Sequence, residues 1–210
     1  ASAEPWRPSS IPASSLLAVF AGTHGMANGL EAVLDAAAEL RSRGRTDIKL
    51  LLIGQGKLKA PLQARALKEN LDNVVFHEPV NKSALAGLMA ATDIGMQILA
   101  NVPAFYYGTS PNKFFDYIAA GLPLLNNYPG WLADLIQKHQ CGFAVPPNDA
   151  RAFADALEQA ADNRTALKAM GHRGLALAKN EFARRLLADQ WVDWLEGTLA
   201  GCDRVHHEGN

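Results

Sequence analysis

Short apolar runs alternate with longer amphipathic runs along most of this chain, and this alternation restricts the fold more than any other feature. The apolar runs have strand length, and the amphipathic runs repeat with helical periodicity. Strands that alternate with helices predict an α/β fold, a parallel sheet with helices on both faces. We expect about six strands, at residues 16–21, 48–53, 74–76, 94–98, 124–126 and 143–145.

The amphipathic runs predict the helices that cover this sheet. We expect helices over 30–43, over 58–69 with a break near Pro61, over 83–91, from Pro111 onward, over 131–139, and in three segments between 150 and 199. Ligands of such sheets bind beyond the carboxyl ends of the strands. The loops that follow the strands are therefore the first places to look for a site.

Composition fits one globular domain. The chain has 210 residues, of which 49% are hydrophobic and 20% charged, and its net charge of -1 argues against a dedicated nucleic-acid binder. Cys141 and Cys202 belong to no metal-ligand spacing, which indicates a reducing compartment without a structural disulfide. We expect residues 1–15, rich in proline and serine, to be a linker, residues 16–199 to form the domain, and residues 200–210 to be a flexible tail.

The stretch GTSPNKFFDYIAAGLPLL, residues 108–125, has the composition of an anion site. Ser110 followed by Pro111 predicts a helix start with a serine cap and proline in the first position. Amide groups at such a start attract anions. Lys113 could neutralise a phosphate, and Asp116, one turn later, could accept two sugar hydroxyls. The alternative is a capped amphipathic helix with an exposed Lys113–Asp116 ion pair.

Three strands end in loops that could approach a ligand through their backbone. The first is the glycine-rich turn from Gly22 to Gly29, the second is Gly54-Gln55-Gly56-Lys57, and the third is His77-Glu78-Pro79. The first turn is not a GxGxxG, so a dinucleotide site is poorly supported. His24 could donate to a phosphate. The alternatives are tight turns, an ordinary loop and a solvated histidine.

With these residues in place, the chain resembles the donor-binding C-terminal half of the GT-B fold glycosyltransferases of glycosyltransferase family 4. The resemblance covers residues 16 to about 196 and is strongest in SPNKFFDYIAAGLPLL. Further support comes from FAGTHGMANGLEAVLDAA, LLIGQGKLKAPLQ, NVVFHEPVNKSALAGLMAATDIGM and CGFAVPPNDARAFADAL. Among members of the family, the chain looks most like bacterial enzymes of O-antigen, capsule and lipopolysaccharide assembly. The resemblance implies a Rossmann-like domain that is one half of a GT-B fold.

The resemblance also implies the residues of a nucleotide-sugar site. Asp116 takes the place of the glutamate that holds the ribose, whereas Gly108 stands where the family has a second glutamate that touches the donor sugar. Many relatives have arginine and lysine where this chain has Thr23 and Asn28, and Lys113 could replace part of that charge. The implied diphosphate contacts are Gly22, Thr23, His24, Gly25, Thr109, Ser110, Asn112 and Lys113, and the implied base contacts are Gly54, Gln55, His77 and Pro79.

The activity that the resemblance implies is sugar transfer from a nucleoside diphosphate sugar to an acceptor hydroxyl, without a metal or cofactor. Uridine diphosphate is the expected nucleotide, and a lipid-linked sugar or lipopolysaccharide core is the expected acceptor. An acceptor-binding N-terminal domain is expected before residues 1–15 and would hold the catalytic base, so this chain alone should bind nucleotide without turnover. The expected location is the cytoplasm or the inner face of its membrane.

Two other functions are compatible with the same residues. A UDP-sugar epimerase of similar architecture would share the nucleotide pocket and would act on the donor alone. A non-catalytic nucleotide-binding or scaffold domain would share the fold, although the paired glycine turns and the SPNK block count against it. Binding of nucleoside diphosphates separates the scaffold from the other two functions, and analysis of products separates the transferase from the epimerase.

Overall fold

The computed structural model describes residues 4–207, and the side chains of residues 4–198. It contains a parallel six-stranded sheet in the order β3-β2-β1-β4-β5-β6. The strands are β1 (Leu16–Ala21), β2 (Ile48–Ile53), β3 (Val74–His77), β4 (Ile94–Gln97), β5 (Leu124–Asn126) and β6 (Gly142–Ala144). All six predicted strands are therefore confirmed, with bounds that agree to within one residue.

Nine α-helices and one short 3-10 helix, Met26–Asn28, occur in the described range. The α-helices are α1 (Glu31–Ser42), α2 (Lys59–Lys68), α3 (Lys82–Ala90), α4 (Pro103–Tyr106), α5 (Asn112–Ala119), α6 (Trp131–His139), α7 (Ala150–Asp162), α8 (Arg164–Glu181) and α9 (Arg184–His207). The break expected at Pro61 is absent, because a proline in the first turn of a helix removes no hydrogen bond. Between residues 4 and 207, no helix has both the length and the apolar character needed to cross a membrane.

Helices cover both faces of the sheet, as the sequence predicted. Alternate residues of β1 belong to different apolar clusters: Leu16, Ala18 and Phe20 pack on the side of α1 and α7, whereas Leu17 and Val19 pack on the side of α3. Helices α5, α6 and α8 form a third cluster around β5. Full burial of β1 on both faces explains why its sequence is a continuous apolar run.

Two terminal segments contain more structure than their sequence indicated, and their assignment as linker and tail stays a prediction. Residues 4–15, expected to be a linker, pack on the domain: Ile11 is buried, and the Trp6 indole donates a hydrogen bond to the Ala84 carbonyl at 2.6 Å. Gly87 permits this contact, because a Cβ there would lie 2.2 Å from the Glu4 carbonyl oxygen. At the other end, α9 continues to His207 through most of the expected tail, because Gly201 lowers helix propensity without ending the helix. Residues 208–210 lie outside the described range.

Candidate functional site

The candidate site lies at the carboxyl ends of β1, β2 and β3, beside the point where the strand order reverses between β1 and β4. Strand β4 pairs with β1 only at Ala18 and Val19, so the end of β1 has no strand on that side. The Tyr117 hydroxyl of α5 occupies this place. It accepts a hydrogen bond from the Ala21 N–H at 3.1 Å and donates one to the Val19 carbonyl at 3.2 Å. These bonds attach α5 to the end of β1.

A glycine in β4 makes room for this anchor. A Cβ at Gly95 would lie 2.5 Å from the Tyr117 ring, closer than real side chains approach. Tyr117 is fully buried, and burial raises the pKa of its hydroxyl, so the group stays protonated and can donate. The sequence analysis identified neither residue. The only signal was a glycine inside a predicted strand, which often marks a close approach by another group.

Lys113 reaches from α5 to the turn that follows β1. A Cβ at Gly22 would lie 3.2 Å from the Lys113 Nζ, and the same atom lies 5.0 Å from the centre of the Phe20 ring. Burial lowers the pKa of Lys113, and the nearby Asp116 carboxylate partly opposes that shift. Within residues 4–198 Lys113 forms no ion pair, so the exposed Lys113–Asp116 pair considered above is not what the structure contains.

The start of α5 differs from the prediction. Pro111 has an extended conformation (φ -77°, ψ 127°) and is the residue before the helix, so α5 begins at Asn112 and the Ser110 side chain does not cap it. A residue before proline is itself disfavoured in the helical region, which keeps Ser110 outside the helix. No described residue accepts a hydrogen bond from the Asn112 or Lys113 N–H. These amides remain open beside the Lys113 side chain.

Thr109 and Ser110 precede this helix start, and Thr109 forms hydrogen bonds with neighbouring residues. Its hydroxyl donates to the Phe105 carbonyl at 2.7 Å, and its own carbonyl accepts from the Trp131 indole at 2.9 Å. Ser110 is exposed and bonds to no described residue. Of the residues predicted on this side of the site, Lys113 alone is seen to meet the Gly22 turn.

The glycine turns after β1 and β2 interlock. Gly54 has a φ of +147°, and a Cβ there would lie 1.8 Å from the Gly22 carbonyl oxygen. Gly56 has a φ of +157°, and a Cβ there would lie 2.5 Å from the His24 carbonyl oxygen. The His24 N–H donates to the Gln55 carbonyl at 2.9 Å. Only glycine fits these two positions. The structure therefore brings the two predicted turns together in backbone contact.

His24 does not lie where a ligand could reach it. Its side chain is fully buried, with ring centres 6.3 Å from Phe20 and 6.2 Å from Phe76. Burial lowers the pKa of this imidazole, and the positive charge of Lys59 lowers it further. This placement does not support the expected role of His24 as a hydrogen-bond donor to phosphate, because the turn directs its side chain into the interior at the end of the sheet.

Two adjoining grooves contain most of the remaining predicted residues. The first, of about 390 Å³, is lined by Gly22, Thr23, Gly54, Gln55 and Pro79, together with Leu85. The second, of about 720 Å³, lies between α3 and α5 and is lined by Asp116 and again by Leu85. The predicted base and ribose residues therefore line neighbouring parts of one surface, while Gly25 lies in the turn between β1 and α1 and Asn112 is exposed at the start of α5.

A buried lysine joins the two loops that contain the predicted base contacts. Lys59 is 6% exposed, and its Nζ donates to the carbonyls of Gly54 and His77 at 3.0 and 3.2 Å and to the Glu78 Oε1 at 2.7 Å. Glu78 also accepts a hydrogen bond from the Gln55 amide. The sequence analysis named Gln55 and His77 but missed Lys59, because nothing in a helical run shows that a lysine turns inward.

His77 is held from outside the sheet by the N-terminal segment. The Trp6 ring lies 5.5 Å from the His77 ring at an angle of 54°, and the His77 Nδ1 lies 2.7 Å from the Glu78 carbonyl oxygen. His77 is half-buried as a result. Across the described side chains there is no group of three or more His, Cys, Asp or Glu residues that could hold a metal ion.

Comparisons with known proteins agree on a family and a fold. The family model described as Glycosyl transferases group 1 matches residues 15–163. A D-inositol 3-phosphate glycosyltransferase of Arthrobacter sp. (strain FB24) is 30% identical over 177 residues, which are 82% of this chain and 40% of that protein.

Among solved structures, Anabaena HepE in complex with UDP has a TM-score of 0.75 at 15% identity, covering 88% of this chain and 49% of that one. Sucrose-phosphate synthase from Thermosynechococcus elongatus has a TM-score of 0.74 at 21% identity, covering 90% and 47%. WaaG, a glycosyltransferase involved in lipopolysaccharide biosynthesis, has a TM-score of 0.67 at 22% identity, covering 84% and 48%. The chain thus spans about half the length of these proteins.

Proposed function

This chain belongs to the group 1 glycosyltransferases, and from that premise we propose that it is the donor-binding half of a metal-independent enzyme that transfers a sugar from a UDP-sugar to an acceptor hydroxyl. The fold is that of one half of a GT-B glycosyltransferase. Structures of HepE contain UDP or UDP-glucose, which supports a uridine nucleotide here.

The observation that carries this proposal is the position of Lys113. Its ammonium group lies over the Gly22 turn and pairs with no carboxylate among the described side chains, and the Asn112 and Lys113 amides are open at the start of the same helix, α5. A half-buried cation and a helix start together stabilise a diphosphate, and they stabilise it more as negative charge develops on the leaving group. This arrangement would supply the charge that a metal supplies in other enzymes.

The grooves extend the assignment to the rest of the nucleotide. We assign the base to the groove lined by Gly54, Gln55 and Pro79, beside His77, and the ribose hydroxyls to Asp116. A carboxylate can accept from both hydroxyls at once. Gly22, Thr23 and Gly25 would approach the diphosphate through the backbone and the Thr23 hydroxyl.

The acceptor side of the reaction belongs to a part of the protein beyond these residues. The relatives are about twice as long as the matched region, and we propose that an N-terminal domain binds the acceptor and holds the catalytic base. A lipid-linked sugar or lipopolysaccharide core is the acceptor that the likeness to WaaG favours. Such an acceptor would bring the whole protein to the inner face of the cytoplasmic membrane.

Calorimetric titration with UDP, in EDTA and in magnesium, tests the donor site. Lys113→Met should weaken UDP binding about 10- to 150-fold, since a charge-assisted hydrogen bond contributes about 1.5–3 kcal/mol. Asp116→Asn should weaken it about fivefold, because the exposed carboxylate contributes about 1 kcal/mol. Lys68→Met, an exposed lysine at the end of α2, is the matched control and should leave affinity unchanged.

Four results would contradict the proposal. Binding that requires magnesium would remove the metal-independent mechanism, and equal loss in Lys113→Met and Lys68→Met would remove the assigned role of Lys113. Failure of UDP, GDP and TDP to bind would favour a scaffold domain. Acceptor-dependent transfer by this chain alone would show that no second domain is needed.

A further inference from the structure

Three side chains beyond the ends of β2 and β3 are joined by hydrogen bonds in which each donor and acceptor is fixed: Lys59 and Gln55 both donate to Glu78. Lys59 can only donate, and it is held in place by the carbonyls of Gly54 and His77. The Lys59 Nζ donates to the Glu78 Oε1 at 2.7 Å. One carboxylate oxygen of Glu78 is therefore committed to Lys59, and the other, Oε2, is left for a second donor.

Gln55 provides that donor, and this decides which way its amide faces. Its Nε2 donates to the Glu78 Oε2. The hydrogen bond to Lys59 and, less strongly, that to Gln55 lower the pKa of Glu78, so its carboxylate is ionised at neutral pH and can only accept. The Gln55 NH₂ must then point toward Glu78. Its carbonyl oxygen, Oε1, points elsewhere and receives no hydrogen bond from the residues that the structure describes.

The location of Gln55 gives this free acceptor a use. Gln55 is exposed and lines the groove to which the base of the nucleotide is assigned above. We propose that Gln55 selects the base: its Oε1 accepts a hydrogen bond from the N3–H of uracil, and Glu78 and Lys59 are positioning residues that keep the oxygen turned toward the ligand. This inference rests on the proposed function of the same groove.

The chemistry of the pyrimidines makes this selection specific. Uracil has a hydrogen-bond donor at N3, whereas cytosine has an acceptor at the same position in a ring of the same shape. An acceptor held toward N3 favours uracil and leaves two lone pairs facing each other in the cytosine complex. A hydrogen bond of this kind in an open groove corresponds to about a tenfold preference for UDP over CDP.

Glu78→Gln gives a test that a merely structural role could not mimic. Lys59 only donates, so the new amide must turn its oxygen to Lys59 and its NH₂ to Gln55. Gln55 must then present its own oxygen to residue 78 and turn its NH₂ toward the ligand. The hydrogen bond between Gln55 and residue 78 reverses, while the one from Lys59 keeps its direction. The NH₂ that now faces N3 favours cytosine, so the ratio of UDP affinity to CDP affinity should fall from about ten to below one.

The measurement is titration of this chain with UDP and with CDP, for the unchanged protein and three variants. Gln55→Ala, which leaves neither an acceptor nor a donor toward N3, should bring the ratio near one. Glu69→Gln, which removes the same charge from an ion pair with Arg65 on α2, should keep the preference for UDP. Glu78 and Glu69 both carry exposed or half-buried carboxylates, so neither change is expected to prevent folding.

Each outcome decides between the two proposals. A preference for UDP that Glu78→Gln and Gln55→Ala both abolish supports the inference. Equal binding of UDP and CDP by the unchanged protein, a preference for CDP, or a preference that survives either substitution overturns it while leaving the donor site intact. If neither UDP nor CDP binds, the proposed donor site and the inference are both overturned.

Discussion

Replacing Tyr117 by phenylalanine removes a single oxygen atom from the anchor between α5 and the end of β1. The ring stays, so its packing against Gly95 is preserved and no cavity larger than the oxygen is left. What is lost is the acceptor of the Ala21 N–H, at 3.1 Å, and the donor to the Val19 carbonyl, at 3.2 Å. The first bond has a normal length for an N–H donor, whereas the second is longer than is usual for a hydroxyl donor.

The expected cost follows from burial. Tyr117 and Val19 are fully buried, whereas Ala21 is half-buried, so water reaches the Val19 carbonyl poorly and the Ala21 N–H only in part. A donor left without an acceptor costs about 1–3 kcal/mol when buried, and the second bond adds little because a carbonyl tolerates the loss better. We expect the free energy of unfolding to fall by about 1–3 kcal/mol.

Urea denaturation followed by circular dichroism measures this change. Tyr117→Phe should lower the midpoint without changing the slope, since the surface exposed on unfolding is the same. Tyr107→Phe is the control, because Tyr107 is 74% exposed and should change stability by less than about 0.5 kcal/mol. A loss in Tyr117→Phe no larger than in Tyr107→Phe would show that the hydroxyl does not hold α5 to β1.

Three further predictions use the same neighbourhood. Gly95→Ala should lower the melting temperature by overpacking against Tyr117 at a cost of about 1–3 kcal/mol, whereas Gly197→Ala, with open space around it, should not. Burial lowers the pKa of His24, so only the unfolded state binds a proton at this histidine as the pH falls below 6.5. The free energy of unfolding should therefore fall by up to about 1.4 kcal/mol per pH unit. Urea titrations between pH 7 and 5 should show a weaker pH dependence in His24→Leu. Burial lowers the pKa of Lys113, and a neutral amine loses its attraction for phosphate, so UDP affinity should decline with rising pH earlier than an ordinary lysine would cause. In Lys113→Met, calorimetry should show a UDP affinity that does not change over this pH range. The same decline in Lys113→Met as in the unchanged protein would contradict the assignment.

The sheet could be predicted from the sequence because its strands are buried on both faces. Burial of this kind requires consecutive apolar residues, and the run from Leu16 to Phe20 is fully buried in the structure. The helix ends were less predictable. Ser110 and Pro111 have the composition of a capped start, but the conformation of Pro111 is extended, and composition does not distinguish proline before a helix from proline in its first position.

The site could be predicted in its backbone and not in its buried side chains. The glycine turns after β1 and β2 were identified because a tight backbone approach requires glycine at Gly54 and Gly56. His24 was misjudged and Lys59 was missed for a common reason: the direction of a side chain in a turn or a first helical turn is decided by the packing around it. His24 turns into the core, and Lys59 turns inward to three oxygen atoms of the neighbouring loops.

The position of Lys113 has a consequence for how this site can be assembled. In the turn after β1, Thr23 and Asn28 carry no charge, and the Asn28 amide is used to close the turn on the Thr23 carbonyl at 2.6 Å. The positive charge comes instead from α5, which also brings the open amides at its start. Charge and amides therefore move as one unit, and the Tyr117 anchor fixes that unit against β1. A change at Tyr117 or Gly95 that shifts α5 should weaken nucleotide binding more while Lys113 is present than in Lys113→Met, so the effects on UDP affinity should be non-additive.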